Sequence, residues 1–323
     1  MQRSRHARIR RRSRSLVRNS GQSRLLVLSG PTASGKTALA LAMARRFPLE
    51  IVNADSVQVY RGMDIGSGKP TAGERGAVPH HLIDVADPDE DYSAGRFVAE
   101  SEAAIRAILA RGRIPLVAGG TGMYIRALRK GLDPLPADPA VRARLNRRWE
   151  EEGGSALHAE LGRIDPDAAE RIHPADRVRV VRALEISAIA GRPASALRVS
   201  WAGAGRYTVL FLALDPGREA TYGRIDRRVD AMFRHGFVEE VRGLLGRGYG
   251  PELKPMGALG YRHVAAHLIR GVSLAETVDA MKRDTRRYAK RQMTWLLREP
   301  DAVWLRRDPP VEYASELARK FLS

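Results

Sequence analysis

Gly30-Pro31-Thr32-Ala33-Ser34-Gly35-Lys36-Thr37, GPTASGKT, decides the fold. It follows the apolar run Leu25-Leu26-Val27-Leu28-Ser29 and precedes the helical pattern Ala38-Leu39-Ala40-Leu41-Ala42-Met43, so the order is strand, glycine loop, helix. Gly30 and Gly35 permit a loop that folds back until its amides converge on a phosphate at a helix N-terminus. Lys36 adds a point charge there, and the Thr37 hydroxyl can reach Mg²⁺. The segment Gly30, Pro31, Thr32, Ala33, Ser34, Gly35, Lys36 and Thr37 is therefore a diphosphate or triphosphate site.

Working outward, the pattern is that of an α/β chain with a P-loop NTPase-like parallel sheet. Leu25–Ser29, Glu50–Asn53, His81–Val85, Ile114–Ala118, Tyr207–Leu214 and an edge strand at Ala302–Leu305 are predicted strands. The second strand delivers Asp55 to the carboxyl edge of the sheet, where open α/β folds bind ligands. An Asp there is a candidate general base or metal contact; the competing reading is a helix N-cap. Residues 60–70 carry too many glycines for a regular element and predict a loop over the site. Gly119-Gly120-Thr121-Gly122 ends a strand where a hydrolytic NTPase usually places an aspartate, which points to a substrate wall in place of hydrolytic machinery.

Between residues 133 and 201 the strands cease. Asp138-Pro139 and Asp165-Pro166 each look like an N-cap followed by an N1 proline, and a third helix runs over 175–190. This predicts an inserted all-helical lobe, with the core formed by 25–132 and 202–323 and a basic tail at 1–24. Arg142, Arg179 and Arg182 belong to arginine clusters within the lobe. Beyond it, Arg228 borders the buried stripe Ile225, Val229, Met232 and Phe233 of a helix, where it can point into a core cleft. The last long helix, 274–298, has an inward stripe containing Thr285, Tyr288, Gln292 and Trp295 and a basic face that includes Lys290 and Arg291, a pattern suited to a phosphate backbone beside a binding channel.

The 323 residues carry a formal net charge of +18. Nine arginines and no acid lie in residues 1–24, so about half of the excess belongs to the folded remainder and implies a polyanionic partner. No apolar run approaches the ~20 residues of a membrane span. The absence of cysteine excludes disulfides, thiolate zinc sites and a cysteine nucleophile, and fits a reducing compartment. His263 and His267 lack a third ligand, so no structural metal is expected.

Together the motifs resemble one family, the tRNA dimethylallyltransferases. The likeness rests on GPTASGKT at 30–37, DSVQVYRGMDIGSGKP at 55–70, PHHLID at 79–84, GRIPLVAGGTGMYIRAL at 112–128, DPDAAERIHPADRVRVVRALEI at 165–186 and TRRYAKRQMTW at 285–295. It implies transfer of a dimethylallyl group from dimethylallyl diphosphate to the exocyclic amine of the adenosine 3′ to the anticodon, in tRNAs reading codons that begin with U. By resemblance Asp55, Thr32 and Arg228 are catalytic, with Asp55 facing the amine and Arg228 gripping the diphosphate. Mg²⁺ would sit at Thr37. Asp55, Ser56, Val57, Gln58, Thr121, Arg142, Arg179, Arg182, Gly260, Tyr261, Arg262, Lys290, Arg291, Gln292 and Trp295 would bind the tRNA anticodon stem-loop. The resemblance also implies a cytoplasmic monomer of the bacterial type, without the zinc finger of eukaryotic relatives; residues 1–24 have no counterpart in it. Two rival readings remain at this stage, an isopentenyltransferase for free nucleotides and an ATP-dependent RNA-binding protein without transferase chemistry.

Overall fold

The computed structural model describes residues 23–132, 135–197, 206–306 and 310–323. All but two residues of the expected tail, and the expected lobe boundaries near 133 and 201, lie outside them. Two compact units emerge, one from the chain up to Arg129 and from Gly205 onward, the other Lys130–Ala204.

The first unit is built on β1 (Ser23–Ser29), whose Leu25 to Leu28 are fully buried. Alternate residues of this strand enter opposite cores: Leu25 and Val27 join one hydrophobic cluster, Leu26 and Leu28 the other. That pleat explains why the run is apolar throughout: both faces are covered. With β2 (Leu49–Asn53), β3 (His80–His81), β4 (Ile114–Gly119), β5 (Tyr207–Leu214) and β6 (Ala302–Leu305), it forms a parallel sheet in the order β3-β2-β4-β1-β5-β6. The chain leaves β1 for one side of the sheet and returns on the other, so the carboxyl ends of β1, β2, β4 and β5 surround a topological switch point. Helices α1 (Lys36–Ala44), α2 (Ala72–Ala77), α3 (Ala94–Ala110) and α4 (Gly122–Lys130) belong to the first half.

The second unit contains α5 (Pro139–Glu152), α6 (Gly154–Ile164), α7 (Pro166–Arg171), α8 (Arg177–Ala190) and α9 (Ala194–Leu197) around its own apolar cluster. Asp138, Asp165 and Asp176 accept first-turn amide protons as N-caps. Glu185 is fully buried in α8 and accepts hydrogen bonds from the Asp138 amide and from the Arg142 and Arg182 guanidiniums. A buried carboxylate needs such compensation.

The chain then completes the first unit with α10 (Arg218–Arg234), α11 (Phe237–Gly246), α12 (Tyr261–Arg270), α13 (Leu274–Leu296) and α14 (Pro310–Leu322).

Several expectations need correction. The predicted strand His81–Val85 shrinks to His80–His81, because Leu82 (φ 62°) and Asp84 (φ 57°) turn left-handed. Asn53 captures the Leu82 carbonyl, and Lys69 and Arg75 capture the Asp84 carboxylate at 2.6 and 2.8 Å. Helix α6 was hidden by Gly153-Gly154, which look like a terminator but serve as its start. Helices α2 and α14 were not anticipated either. The first strand begins at Ser23, not Leu25.

At Gly119, a Cβ would lie 2.1 Å from the Ala54 carbonyl oxygen. Gly119→Ala should therefore force strand ends apart and cost about 1–3 kcal/mol, seen as a lower urea midpoint. Gly73→Ala, where a Cβ meets nothing within 4 Å, should be neutral or gain up to about 1 kcal/mol in α2.

Candidate functional site: a phosphate cradle joined to a deep cavity

The loop after β1 reaches α1 through Ala33 (φ 60°) and Gly35 (φ 97°). Gly35 is the N-cap of α1, in the left-handed conformation that lets the loop fold back; Gly30 has a different purpose, since a Cβ there would come 2.7 Å from Ser34 Oγ and 2.8 Å from the Leu214 carbonyl oxygen. The first-turn amides of α1 have no acceptor within the helix and are available to an anion. Lys36 curls back so that its ammonium donates to the Gly30 and Pro31 carbonyls at 2.9 and 2.8 Å. Burial of that ammonium lowers its pKa to about 8; Asp55 opposes the shift and Arg228 adds to it.

Thr32 to Thr37 line a cavity of about 380 Å³ together with Asp55, Gln58, Arg224 and Arg228. A second cavity of about 290 Å³ shares Thr32, Asp55, Ser67, Arg228 and Tyr288 with it and extends to Ser56, Val57, Ile225, Val229, Met232, Leu259, Arg262, Met281, Thr285 and Arg291. Asp55 thus stands where a space fit for phosphate meets a space lined by apolar, hydroxyl and basic side chains.

Both readings of Asp55 are present at once. Its Oδ1 accepts the Val57 and Gln58 amides at 2.9 and 3.3 Å, as an N-cap does, while the carboxylate faces both cavities. Thr121 does not line either space. Its hydroxyl accepts the Ser56 amide at 3.0 Å and so fixes the turn that carries Asp55. Gln58 donates to the Ser67 and Gly68 carbonyls and holds the overlying loop.

Arg228 enters from the other side, donating to the Ser67 carbonyl at 3.2 Å. Burial presses its pKa down and Asp55 resists that, yet an arginine keeps its charge at neutral pH. Gly68 must be glycine here: its φ is +60°, and a Cβ would sit 1.6 Å from the guanidinium.

Gln292 is buried and clamps the cradle. Its Oε1 accepts the Thr32 amide at 2.8 Å and its Nε2 donates to the Gly120 carbonyl at 3.0 Å. The glycines after β4 make room for this contact and for Trp295, which a Cβ on Gly122 would approach to 2.4 Å. The bulky groups admitted by Gly119 to Gly122 are therefore largely the protein's own, and the substrate-wall reading of that stretch is corrected to this extent.

Of the other expected site residues, Arg262 and Arg291 line the second cavity and the rest line neither. Trp295 packs against Phe211 at 6.2 Å and acts as core. Tyr261 is wholly buried, edge-on to Phe237, and Gly260 (φ +93°) starts its helix. In the helical unit Arg142 and Arg182 neutralise Glu185, whereas Arg179 stays 69 % exposed beside Asp176. Lys290 and Arg291 are exposed, and Arg291 lies over the Tyr288 ring at 5.6 Å.

Two functional side chains escaped the sequence. Arg224 donates to the Ser34 carbonyl at 3.1 Å, adding a third cation to the cradle. Its position one turn before Arg228 was the available signal. Glu240 gave none: it accepts the successive amides of Asp64, Ile65 and Gly66 at 3.0, 2.6 and 3.1 Å, and the Tyr261 hydroxyl at 2.8 Å. It anchors the loop whose Ser67 carbonyl holds Arg228. Burial, reinforced by Glu240, pushes Tyr261 well above its ordinary pKa and keeps it a donor.

Among the described residues no group of three or more His, Asp or Glu could enclose a metal. Thr37 and Asp55 do offer oxygens to the cradle. That sparse set fits Mg²⁺, which keeps several waters and takes one or two protein oxygens plus phosphate.

The chain is similar to a set of known proteins. The family model described as IPP transferase matches residues 58–299, and one described as Isopentenyl transferase matches 23–83. A tRNA dimethylallyltransferase of Desulfosudis oleivorans is 49% identical over 301 residues, covering 93% of this chain and 96% of that protein. One from an Anaeromyxobacter species is 52% identical over 300 residues, with coverages of 92% and 98%. The crystal structure of a tRNA isopentenylpyrophosphate transferase from Bacillus halodurans superimposes with a TM-score of 0.69 at 37% identity, covering 93% of this chain and 96% of that one. A eukaryotic dimethylallyltransferase acting on tRNA gives 0.76 at 29% identity, with coverages of 92% and 77%.

Two outcomes are expected. Because Lys36 is charged below about pH 8 and neutral above it, kcat/KM for a diphosphate substrate should fall as pH rises through that value, and Lys36→Arg should move this limb upward; identical profiles would disconnect Lys36 from anion binding. Glu240→Gln turns one acceptor into a donor facing amide protons. It should raise the KM for the diphosphate substrate roughly tenfold and leave the KM for the second substrate unchanged, as initial-rate kinetics would show.

Proposed function

We infer the chemistry of this chain from its family: it belongs to the tRNA dimethylallyltransferases. It is a prenyl transferase that modifies tRNA. In finer terms, we take dimethylallyl diphosphate as donor and the exocyclic amine of the adenosine 3′ to the anticodon as acceptor. The observation that supports this most is the junction of cradle and cavity at Asp55 and Arg228.

The cradle receives the diphosphate, with α1 amides and Lys36 on one side and Arg224 and Arg228 on the other. These charges stabilise the leaving group as the C1–O bond breaks and its electron pair departs. Mg²⁺, bound with Thr37 as its protein ligand, would supply further charge neutralisation. An adenine amine is a weak nucleophile, so positioning matters most. The base is extruded into the deeper cavity, where its amine attacks C1 and yields its proton to Asp55. Ser56 and Tyr288 border this acceptor space; burial and the Asp55 charge keep the Tyr288 hydroxyl protonated. Thr32 links the two spaces.

Basic side chains exposed enough to reach tRNA phosphate are Arg291 and Lys290 of the first unit; in the helical unit Arg179, beside Asp176 at 3.5 Å, is another. Arg262, half taken up by Asp284 at 2.7 Å, lines the same cavity as Arg291. The cysteine-free chain suits the cytoplasm, no described helix is long and apolar enough to cross a membrane, and we assign it a monomeric state.

Labelled dimethylallyl diphosphate should modify unmodified tRNA and leave AMP unlabelled, with nucleoside mass spectrometry locating the product; label on AMP alone would refute the assignment. Asp55→Ala should slow the single-turnover rate by roughly 10² to 10⁴ with tRNA affinity nearly intact, and an unchanged rate would remove Asp55 from the chemistry.

A further inference from the structure

One helix provides both the grip on the diphosphate and an apolar wall. Along α10, Arg224 and Arg228 face the cradle, while Ile225, Val229 and Met232 are buried and line the deeper cavity. Their spacing of four and three places them on one face. The same cavity is also lined by Arg262 and Arg291, which suit RNA. A prenyl chain attached to a diphosphate held by Arg228 therefore extends along Ile225 and Val229 toward Met232.

Met232 also lines a third cavity, of about 510 Å³, more open to solvent and bounded by Ile65, Lys69, Pro70, Ala72, Arg75 and Ala231 among others. It has only two lining residues in common with the reaction cavity, Arg228 and Met232. Arg228 is fixed by its bond to the Ser67 carbonyl and by the close approach of Gly68. Met232 has no polar commitment and is an unbranched, adaptable side chain.

We propose that Met232 sets the prenyl chain length, by closing the donor end of the reaction cavity against this third cavity. The inference rests on the functional reading above. A donor with one more isoprene unit, geranyl diphosphate, presents the same C1: the amine bonds to C1, the C1–O bond breaks with its electron pair going to diphosphate, and the amine proton passes to Asp55. The chemistry is unchanged, so room at the far end of the chain decides acceptance. A pocket discriminates such apolar groups through steric fit, by roughly 10–200-fold per methylene-scale change.

Wild type and Met232→Ala are each given dimethylallyl or geranyl diphosphate with unmodified tRNA, and the modified nucleosides are measured by mass spectrometry. Truncation should shift the ratio of the two kcat/KM values toward geranyl transfer by roughly 10–200-fold. Adding Ala231→Leu, which refills the third cavity, should reverse most of that shift. Met232→Val should give a smaller shift of the same sign, and serves where the alanine variant is unstable. The proposal is overturned if either folded Met232 variant transfers dimethylallyl groups with an unaltered ratio, or if wild type already uses geranyl diphosphate as well as its shorter homologue. Failure of the wild type to prenylate tRNA from dimethylallyl diphosphate would instead defeat the functional reading itself, and this inference with it.

Discussion

The structure depends on an electrostatic imbalance at one point. Lys36 and Arg228 are brought out of water within reach of a single carboxylate, Asp55. Burying like charges together is costly unless an anion completes the set. The lowered pKa values of both cations report chiefly their removal from water. On the proposed reading a diphosphate offsets that cost, and the site already carries in its resting state much of the field that such a leaving group requires.

Holding that field demands fixed supports, and most of them are backbone contacts. Gln292 ties the Thr32 amide to Gly120, Thr121 ties Ser56, and Glu240 gathers three amides of the loop over Arg228. Gln292 and Glu240 are side chains from distant helices closing on glycine-rich segments, whereas Thr121 lies within one and reaches out to Ser56. Replacing a glycine at 66, 68, 120 or 122 would drive a Cβ into Phe237, Arg228, Gln292 or Trp295 respectively. The conspicuous glycines are thus spacing devices for neighbouring protein as much as hinges or ligand contacts.

This explains how far the site was legible in the sequence. GPTASGKT announces itself because its meaning is local: strand, loop, lysine and helix are contiguous. The parallel sheet was equally readable from apolar runs, apart from His81–Val85, where Lys69 and Asn53 impose turns that no residue pattern shows. Arg228 was recoverable from helical periodicity. Glu240 was not, since the three loop amides it accepts lie more than 170 residues away and an exposed-looking glutamate on a helix carries no mark. Arg142 and Arg182 were assigned to RNA for a related reason: their buried partner Glu185 sits in another helix or one turn along, and charge counting does not reveal pairing. Tyr261 and Trp295 were expected at the tRNA by resemblance; Tyr261 is buried in the core and Trp295 packs, half-buried, against it.

The Gln292 clamp has one more consequence. The helix that carries it also presents Tyr288 and Arg291 to the space meant for the acceptor, four and one residues away. A nucleobase pressing on that stretch cannot displace it without tugging the Thr32 amide. The two cavities therefore lean on one helix, and the backbone of the phosphate loop is braced by the same turn that lines the neighbouring space.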